Sequence, residues 1–270
     1  MALTDITLGQ YYPADSAIHR LDSRTKILGT FGFLFSLFIA KSFTGLIFAG
    51  ICLLLVIKLS KVPLHFVTRG LKPVMFLIFF TLLINLFMSA GDHVIWQWGI
   101  LKLSHESIYR AGFMALRLVM LIFGSSLLTL TTKPIELTDG LEILLGFLKV
   151  FHISPHELAM MMGIALRFIP TLLEETDKIM KAQTARGANF ETGKLIDRAK
   201  NLVPLLVPLF VSAFRIAADL AQAMEARCYR GGVGRTRMHG IQYGKNDYMA
   251  GAVFLCYVAA MIVIRQLPLL

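Results

Sequence analysis

Few groups in this 270-residue chain have the type and spacing to do chemistry. His152 and His156 stand four apart, a spacing that sets two imidazoles on one helix face. Pro155 interrupts the turn between them, and no Glu follows in the pattern a helical zinc protease needs. Gly231, Gly232 and Gly234 make a glycine-rich run without the Gly-Lys-Ser/Thr of a phosphate-binding loop. Gly240-x-x-x-Gly244-Lys245-Asn246 has the wrong spacing and no hydroxyl for magnesium. Cys52, Cys228 and Cys256 are scattered and form no disulfide framework. No nucleophile–base pair stands out. The expectation is a chain that is not itself an enzyme, with no metal and no cofactor.

One pattern does recur. Ala182-Gln183-Thr184-Ala185-Arg186-Gly187 and Ala223-Met224-Glu225-Ala226-Arg227-Cys228 share Ala-x-x-Ala-Arg followed by a small residue, 41 positions apart. One reading is local: Ala is the best helix former, and a cation belongs at a helix C-terminus, where the dipole is negative. The other is recognition. A slim, Ala-lined helix end with one strong cation suits insertion into a groove of another protein, where the guanidinium fork meets a carboxylate.

Long helices must carry these ends. Ser154-Pro155-His156-Glu157 reads as a helix start, with Ser as N-cap, Pro first and Glu third. Met161, Ala165, Phe168, Leu172, Thr176 and Ile179 then recur at three- and four-residue steps, one face of an amphipathic helix that stops at Ala185-Arg186-Gly187. Pro170 should kink it. A second helix is expected from about Ile196 to Arg227. Its uncharged stretch, Asn201–Phe214, holds Pro204 and Pro208 and is too short to span a bilayer, so it suits a buried or interfacial position. A shorter amphipathic helix is expected over Glu136–Val150. Met160-Met161-Met162 reads as core or adaptable interface.

The rest of the chain is apolar in longer runs. Hydrophobic residues make up 56% and charged residues 16%, with a net charge of +10, which excludes a disordered chain. Val74–Ala90, Leu118–Thr132 and Tyr248–Ile264 are uncharged and near the length a membrane span needs. Ile27–Ile57 is too long for one span and reads as a tight hairpin with Lys41 at its tip. Five spans with a cytoplasmic N-terminus put 22 Lys/Arg on the cytoplasmic side and leave 5 elsewhere, as the positive-inside rule requires. The same topology accounts for the basic excess without nucleic acid. Trp96 and Trp98 follow the third span, where an interfacial aromatic belt is expected. Met1–Lys26 has no apolar core of the kind a cleavable signal peptide carries. Gly29-x-x-Gly32 and Gly45-x-x-x-Ala49 read as helix-packing notches. The fold class expected is an all-α integral membrane protein of the cell membrane, with about five transmembrane helices and a cytoplasmic domain of long amphipathic helices. Residues 1–132 form the N-terminal membrane part, 133–247 the cytoplasmic domain and 248–270 the final span.

With these features in view, the sequence resembles the transmembrane T component of energy-coupling factor transporters, a group that also contains the T subunits of cobalt and nickel uptake systems. His19-Arg20-Leu21-Asp22-Ser23-Arg24-Thr25-Lys26 is similar to the family's His-x-Leu-Asp-x-Arg-x-Lys run into the first span. Leu166-Arg167-Phe168-Ile169-Pro170-Thr171-Leu172 is similar to its Arg-Phe-x-Pro segment, and the two arginine ends are similar to its paired Ala-Arg-Gly signatures. Cys228 departs from the usual Gly. The resemblance implies a subunit that works with two cytoplasmic ATPases and a separate substrate-binding membrane subunit, in contact with membrane lipid. Ala185, Arg186 and Gly187 would dock in one ATPase, and Ala226, Arg227 and Cys228 in the other. The substrate-binding subunit would rest on Val203, Leu206, Phe210 and Phe214, a surface too apolar to be left in water. Vitamins are the cargo the resemblance implies, and a dedicated cobalt or nickel system is the alternative within the family. A self-contained secondary transporter or channel is the rival from another class; such proteins place ionisable groups or broken helices at mid-membrane, and the expected spans hold few.

Overall fold

The computed structural model describes residues 11–88, 94–98, 101–146, 154–188, 195–231 and 243–266. The helices are α1 (Ser23–Ile39), α2 (Phe43–Ser60), α3 (Leu64–Arg69), α4 (Met75–Met88), α5 (His105–Thr131), α6 (Pro134–Leu144), α7 (Pro155–Ala185), α8 (Leu195–Ala226) and α9 (Lys245–Gln266). Between α4 and α5 lies one two-stranded antiparallel hairpin, β1 (Val94–Trp98) with β2 (Leu101–Ser104). The all-α class therefore holds, with this one small addition. The run Val94-Ile95-Trp96-Gln97-Trp98, then Gly99-Ile100 and Leu101-Lys102-Leu103-Ser104, carries the hairpin signal that a reading by apolar spans passes over. Trp96 and Trp98 are thus strand residues, paired with Leu103 and Leu101.

The Ile27–Ile57 run is two helices, as its length requires. Asp22 opens α1, its Oδ1 accepting the Arg24 N–H at 2.8 Å. Ser42 opens α2, its Oγ accepting the Gly45 N–H at 3.4 Å. Lys41 lies exposed in the turn between them. The helix over Leu118–Thr132 begins much earlier, at His105, where Ser104 Oγ accepts the Glu106 N–H at 3.2 Å. That start takes Arg117 into the helix. Its charge is answered from α1: Nη2 donates to Ala40 O, at the α1 C-terminus, at 2.8 Å, and the guanidinium lies 4.6 Å over the Phe113 ring. Lys26 does the reverse at the other end of the pair. Its ammonium donates to Thr131 O, at the α5 C-terminus, at 3.0 Å, and to His19 O at 2.9 Å. Two helices running in opposite directions thus each supply a cation to the other's unsatisfied carbonyls.

The chain forms two compact units: Gln10–Gly140 with Gly240–Leu270, and Met1–Gly9 with Leu141–His239. In the larger unit α5 packs against α1, α2, α3 and α4, and α9 packs on α1 and α2. Leu37, Leu46, Leu53, Ile57, Val67, Met120, Leu127 and Met261 fill its core. Gly32 is a real notch, since a Cβ there would collide with the Phe254 ring, and Gly124 gives way to Phe33 in the same manner. Gly29, its expected partner, faces open space, and Gly45 packs on its own turn at Ala40. Asn85, the polar residue of α4, is satisfied within the helix by donating to Thr81 O at 2.8 Å. Phe35, Phe38, Leu55, Phe76, Phe79, Val253 and Leu255 stay exposed. In water such a surface would aggregate; in a bilayer it is the solvated face. Among the described residues, six helical stretches are long and apolar enough to cross a membrane, and they include α7 and α8 as well as α2, α3–α4, α5 and α9.

The smaller unit is built on α7 packed against α8. Ser154 holds the N-cap position of α7 and Pro155 its first position, but the Ser154 side chain makes no capping bond. The helix continues through Pro170, as α8 does through Pro204 and Pro208. The helix over Glu136–Val150 ends sooner, at Leu144; residues 147–150 lie outside the described residues.

Candidate functional site

The ends of α7 and α8 are built alike. At the first, the Gly187 N–H donates to Thr184 O at 2.9 Å and the Ala188 N–H to Gln183 O at 3.0 Å. At the second, the Cys228 N–H donates to Glu225 O at 2.8 Å and the Tyr229 N–H to Met224 O at 3.0 Å. Both are Schellman closures, in which a left-handed residue folds the chain back over the last turn and satisfies its carbonyls. The left-handed position is Gly187, φ +93°, in one and Cys228, φ +55°, in the other. The geometry survives the loss of glycine, at a cost of about 1–2 kcal/mol for an L side chain in that region.

The closure decides what the arginines are free to do. With the final carbonyls satisfied by backbone N–H groups, neither guanidinium is needed as a cap. Arg186 and Arg227 are both exposed, and among the described residues neither has a side-chain partner. Charges further back on α7 behave differently: Lys181 meets Asp177 at 2.6 Å and Lys178 meets Glu175 at 3.6 Å. Ala185 and Ala226 are exposed beside their arginines. What stands at each end is a narrow Ala-sided cone with one unspent planar cation.

Nearer the start of α8, the side chains of Val203, Leu206, Phe210 and Phe214 are all exposed, Phe214 by 72% and Phe210 by 62%. Leu205, pointing the other way, is buried. Leu158, Met161 and Met162 are exposed on the corresponding half of α7. α7 therefore gathers most of its charges in its second half, and α8 carries an apolar middle, Val203–Phe214, between Asp197, Arg198 and Lys200 on one side and Arg215, Asp219 and Glu225 on the other. His156 is engaged with Glu142, Nδ1 to Oε1 at 3.1 Å; His152 lies outside the described residues, as do Gly232, Gly234 and Gly240.

A second constellation sits at the start of α1, where reading by motif noticed the residues without their function. Arg24 forks onto Asp22, with Nη2 to Oδ2 at 2.8 Å and Nε to Oδ1 at 3.2 Å. The Asp22 N–H donates to Asp247 Oδ1 at 2.8 Å, across 225 positions of sequence. His19 holds the segment before α1: its Nε2 is 3.0 Å from Tyr12 O and its Nδ1 is 2.7 Å from Ser16 Oγ. The neutral ring with hydrogen on Nε2 satisfies both, donating to the carbonyl and accepting from the hydroxyl. Burial pulls the His19 pKa below the ordinary histidine value, against the hydrogen bond to Tyr12.

Residues 14–239 match the family model described as CbiQ, cobalt transport protein. Over 264 residues the chain is 54% identical to the energy-coupling factor transporter transmembrane protein EcfT of Clostridium kluyveri, covering 97% of this chain and 98% of that protein. The protein of the same name from Thermosediminibacter oceani is 55% identical over 248 residues, 92% and 93% of the two chains. That of Bacillus subtilis is 46% identical over 245 residues, 91% and 92%. The chain belongs to the CbiQ/EcfT family. As a member of that family it is the transmembrane component of an energy-coupling factor transporter and a multi-pass membrane protein. The matched span of the CbiQ/EcfT model takes in the start of α1 and both arginine ends.

Proposed function

We propose that the chain couples two cytoplasmic ATPases to a separate substrate-binding membrane subunit, for uptake of vitamins or other micronutrients. Residues 133–247 lie on the cytoplasmic side with the N-terminus, and residues 1–132 and 248–270 supply five spans. The observation that carries the reading is the pair of Schellman ends presenting Arg186 and Arg227 with no side-chain partner among the described residues. An arginine kept only to offset its own helix dipole would not need two ends of matching backbone geometry. Each cone, Ala185-Arg186-Gly187 and Ala226-Arg227-Cys228, enters a groove of one ATPase, where the guanidinium meets a carboxylate. ATP-driven approach of the ATPases moves α7 and α8 and reorients the substrate-binding subunit. That subunit rests on Val203, Leu206, Phe210 and Phe214.

α7 and α8 are long and apolar enough to span by composition, but their second halves argue for water. Glu174, Glu175, Asp177, Lys178 and Lys181 crowd one, and Arg215, Asp219 and Glu225 the other; charges of that density are costly in hydrocarbon. The family model's description as a cobalt transport protein supports a second reading, in which the substrate-binding subunit is dedicated to cobalt or nickel.

Recovery of the ATPases by the Arg186→Ala/Arg227→Ala protein tests the reading. Removing one side of a buried charge pair costs about 2–5 kcal/mol, so the double variant should lose the ATPases and each single variant should weaken assembly. Arg→Lys should rescue poorly, because it keeps the charge and loses the fork. Phe210→Asp should release the substrate-binding subunit while the ATPases stay. Wild-type ATPase recovery by a folded, membrane-inserted double variant would sink the docking.

A further inference from the structure

The chain leaves the larger unit after Gly140 and returns to it at Gly240. Within that unit, both connections meet the first turn of α1, the outgoing one by close packing and the returning one by a hydrogen bond. On the outgoing side, Gly140 lies so close to α1 that a Cβ there would stand 2.6 Å from Ser23 Oγ and 3.1 Å from both Ser23 Cβ and Ile27 Cδ1. Thr138, just before it, is buried. On the returning side, Asp247 is 7% exposed and uses both oxygens. Oδ1 accepts the Asp22 N–H at 2.8 Å, and Oδ2 accepts the Gly244 N–H at 2.9 Å. The Asp22 carboxylate turns to Arg24, whose guanidinium lies 4.0 Å over the ring of Tyr243, again on the returning segment. Two buried acids and the cations Arg24 and Lys26 thus gather at one helix start, where the chain passes out and back.

A buried carboxylate is costly unless its oxygens are used. A helix pair that only had to pack would do better with an apolar residue at 247. What the carboxylate supplies is a tie between backbone groups of α1 and of the segment that opens α9. We propose that this knot is a joint that stays shut through the transport cycle. Ser23, Asp22 and Asp247 hold both connections of the α7–α8 unit at one point, so force on the long helices is delivered to α1 and not lost in slack chain. The inference rests on the energy-coupling reading above and adds to it positioning residues that touch neither nucleotide nor substrate.

The test uses the assembled complex in proteoliposomes, with substrate uptake and ATP hydrolysis measured on the same preparation. Asp247→Ala strands the buried Asp22 N–H, removes the acceptor of the Gly244 N–H and frees the returning connection. Hydrolysis should stay within about two-fold of wild type while uptake per ATP falls roughly ten-fold, the weight of about one buried hydrogen bond in the coupled state. Asp247→Asn keeps one carbonyl for the Asp22 N–H and should recover part of the ratio. Ser23→Cys/Gly140→Cys supplies the opposite perturbation: the two Cβ positions, 3.1 Å apart, need to part by only about 0.4 Å to reach disulfide spacing, and oxidation would lock α6 to α1. The locked protein, its cross-link verified on peptides and oxidised wild type run beside it, should transport like its reduced form. This arm does not depend on the folding of Asp247→Ala. Uptake stopped by oxidation and restored by reductant would mean the joint must open and would overturn the proposal. So would a wild-type uptake-to-ATP ratio in Asp247→Ala, or a fall in abundance and both rates at constant ratio, the mark of a purely structural role. Absence of ATP-driven uptake by the wild-type complex would sink the energy-coupling reading and this proposal with it.

Discussion

Lys26→Met removes a single ammonium that spans two elements, and the structure lets its cost be worked out. Lys26 is only 7% exposed, and its Nζ donates to His19 O at 2.9 Å and Thr131 O at 3.0 Å. Met fills most of the space but donates nothing. Each buried carbonyl left without a donor costs about 1–3 kcal/mol. Relief from burying a charge offsets part of that sum, so a net loss of about 2–4 kcal/mol is expected. Arg117→Met strands one carbonyl, Ala40 O, and removes an Nε that is buried without a partner, so its cost should be about 1–2 kcal/mol. Residues 117 and 131 lie about 21 Å apart along α5 at 1.5 Å per residue, too far to couple, so the double variant should show the sum within about 0.5 kcal/mol. Denaturant unfolding of the purified chain in detergent, followed by tryptophan fluorescence, gives all three values. A Lys26→Met protein as stable as wild type would mean that desolvation cancels the bonds and that the exchange of cations between α1 and α5 contributes nothing.

Three further outcomes follow from particular residues. With five spans and a cytoplasmic N-terminus, Lys41→Cys in the α1–α2 turn should react with an impermeant maleimide from outside, and Lys61→Cys only after the membrane is opened; the reverse pattern would invert the topology. Cys228→Gly should leave ATPase recovery intact and raise stability by about 0.5–1 kcal/mol, the relief of the left-handed residue less the entropy glycine adds to the unfolded chain; a lower unfolding midpoint would contradict the closure described. His19 is held neutral below the ordinary histidine value by burial, so the unfolded chain takes up its proton first as pH falls. Stability should be complete above about pH 6.5 and decline as pH drops through the lowered value, and His19→Gln should flatten that slope in pH-dependent unfolding.

Much of this protein is decided within short windows of sequence. The paired arginine ends were legible because a helix C-terminus is a local event: Ala run, cation, left-handed residue. The split of Ile27–Ile57 was legible because bilayer thickness limits helix length. Tertiary structure decided what local pattern leaves open. Arg117 stands at the edge of the uncharged run Leu118–Thr132, yet it lies within α5, and its charge is met there because α1 ends beside it and offers a carbonyl. Cys228 looked like a break in the family pattern, yet the bonds of Tyr229 and Cys228 to the last turn hold it where glycine would stand. The His19–Lys26 run carried the resemblance as letters, but its role waited on partners more than a hundred positions away. Thr131 O answers Lys26, and Asp247 answers the Asp22 backbone. A hydrogen bond between distant segments has no period and no spacing for sequence to display; it exists only once helix packing has brought one element's unsatisfied carbonyl or N–H against another's side chain.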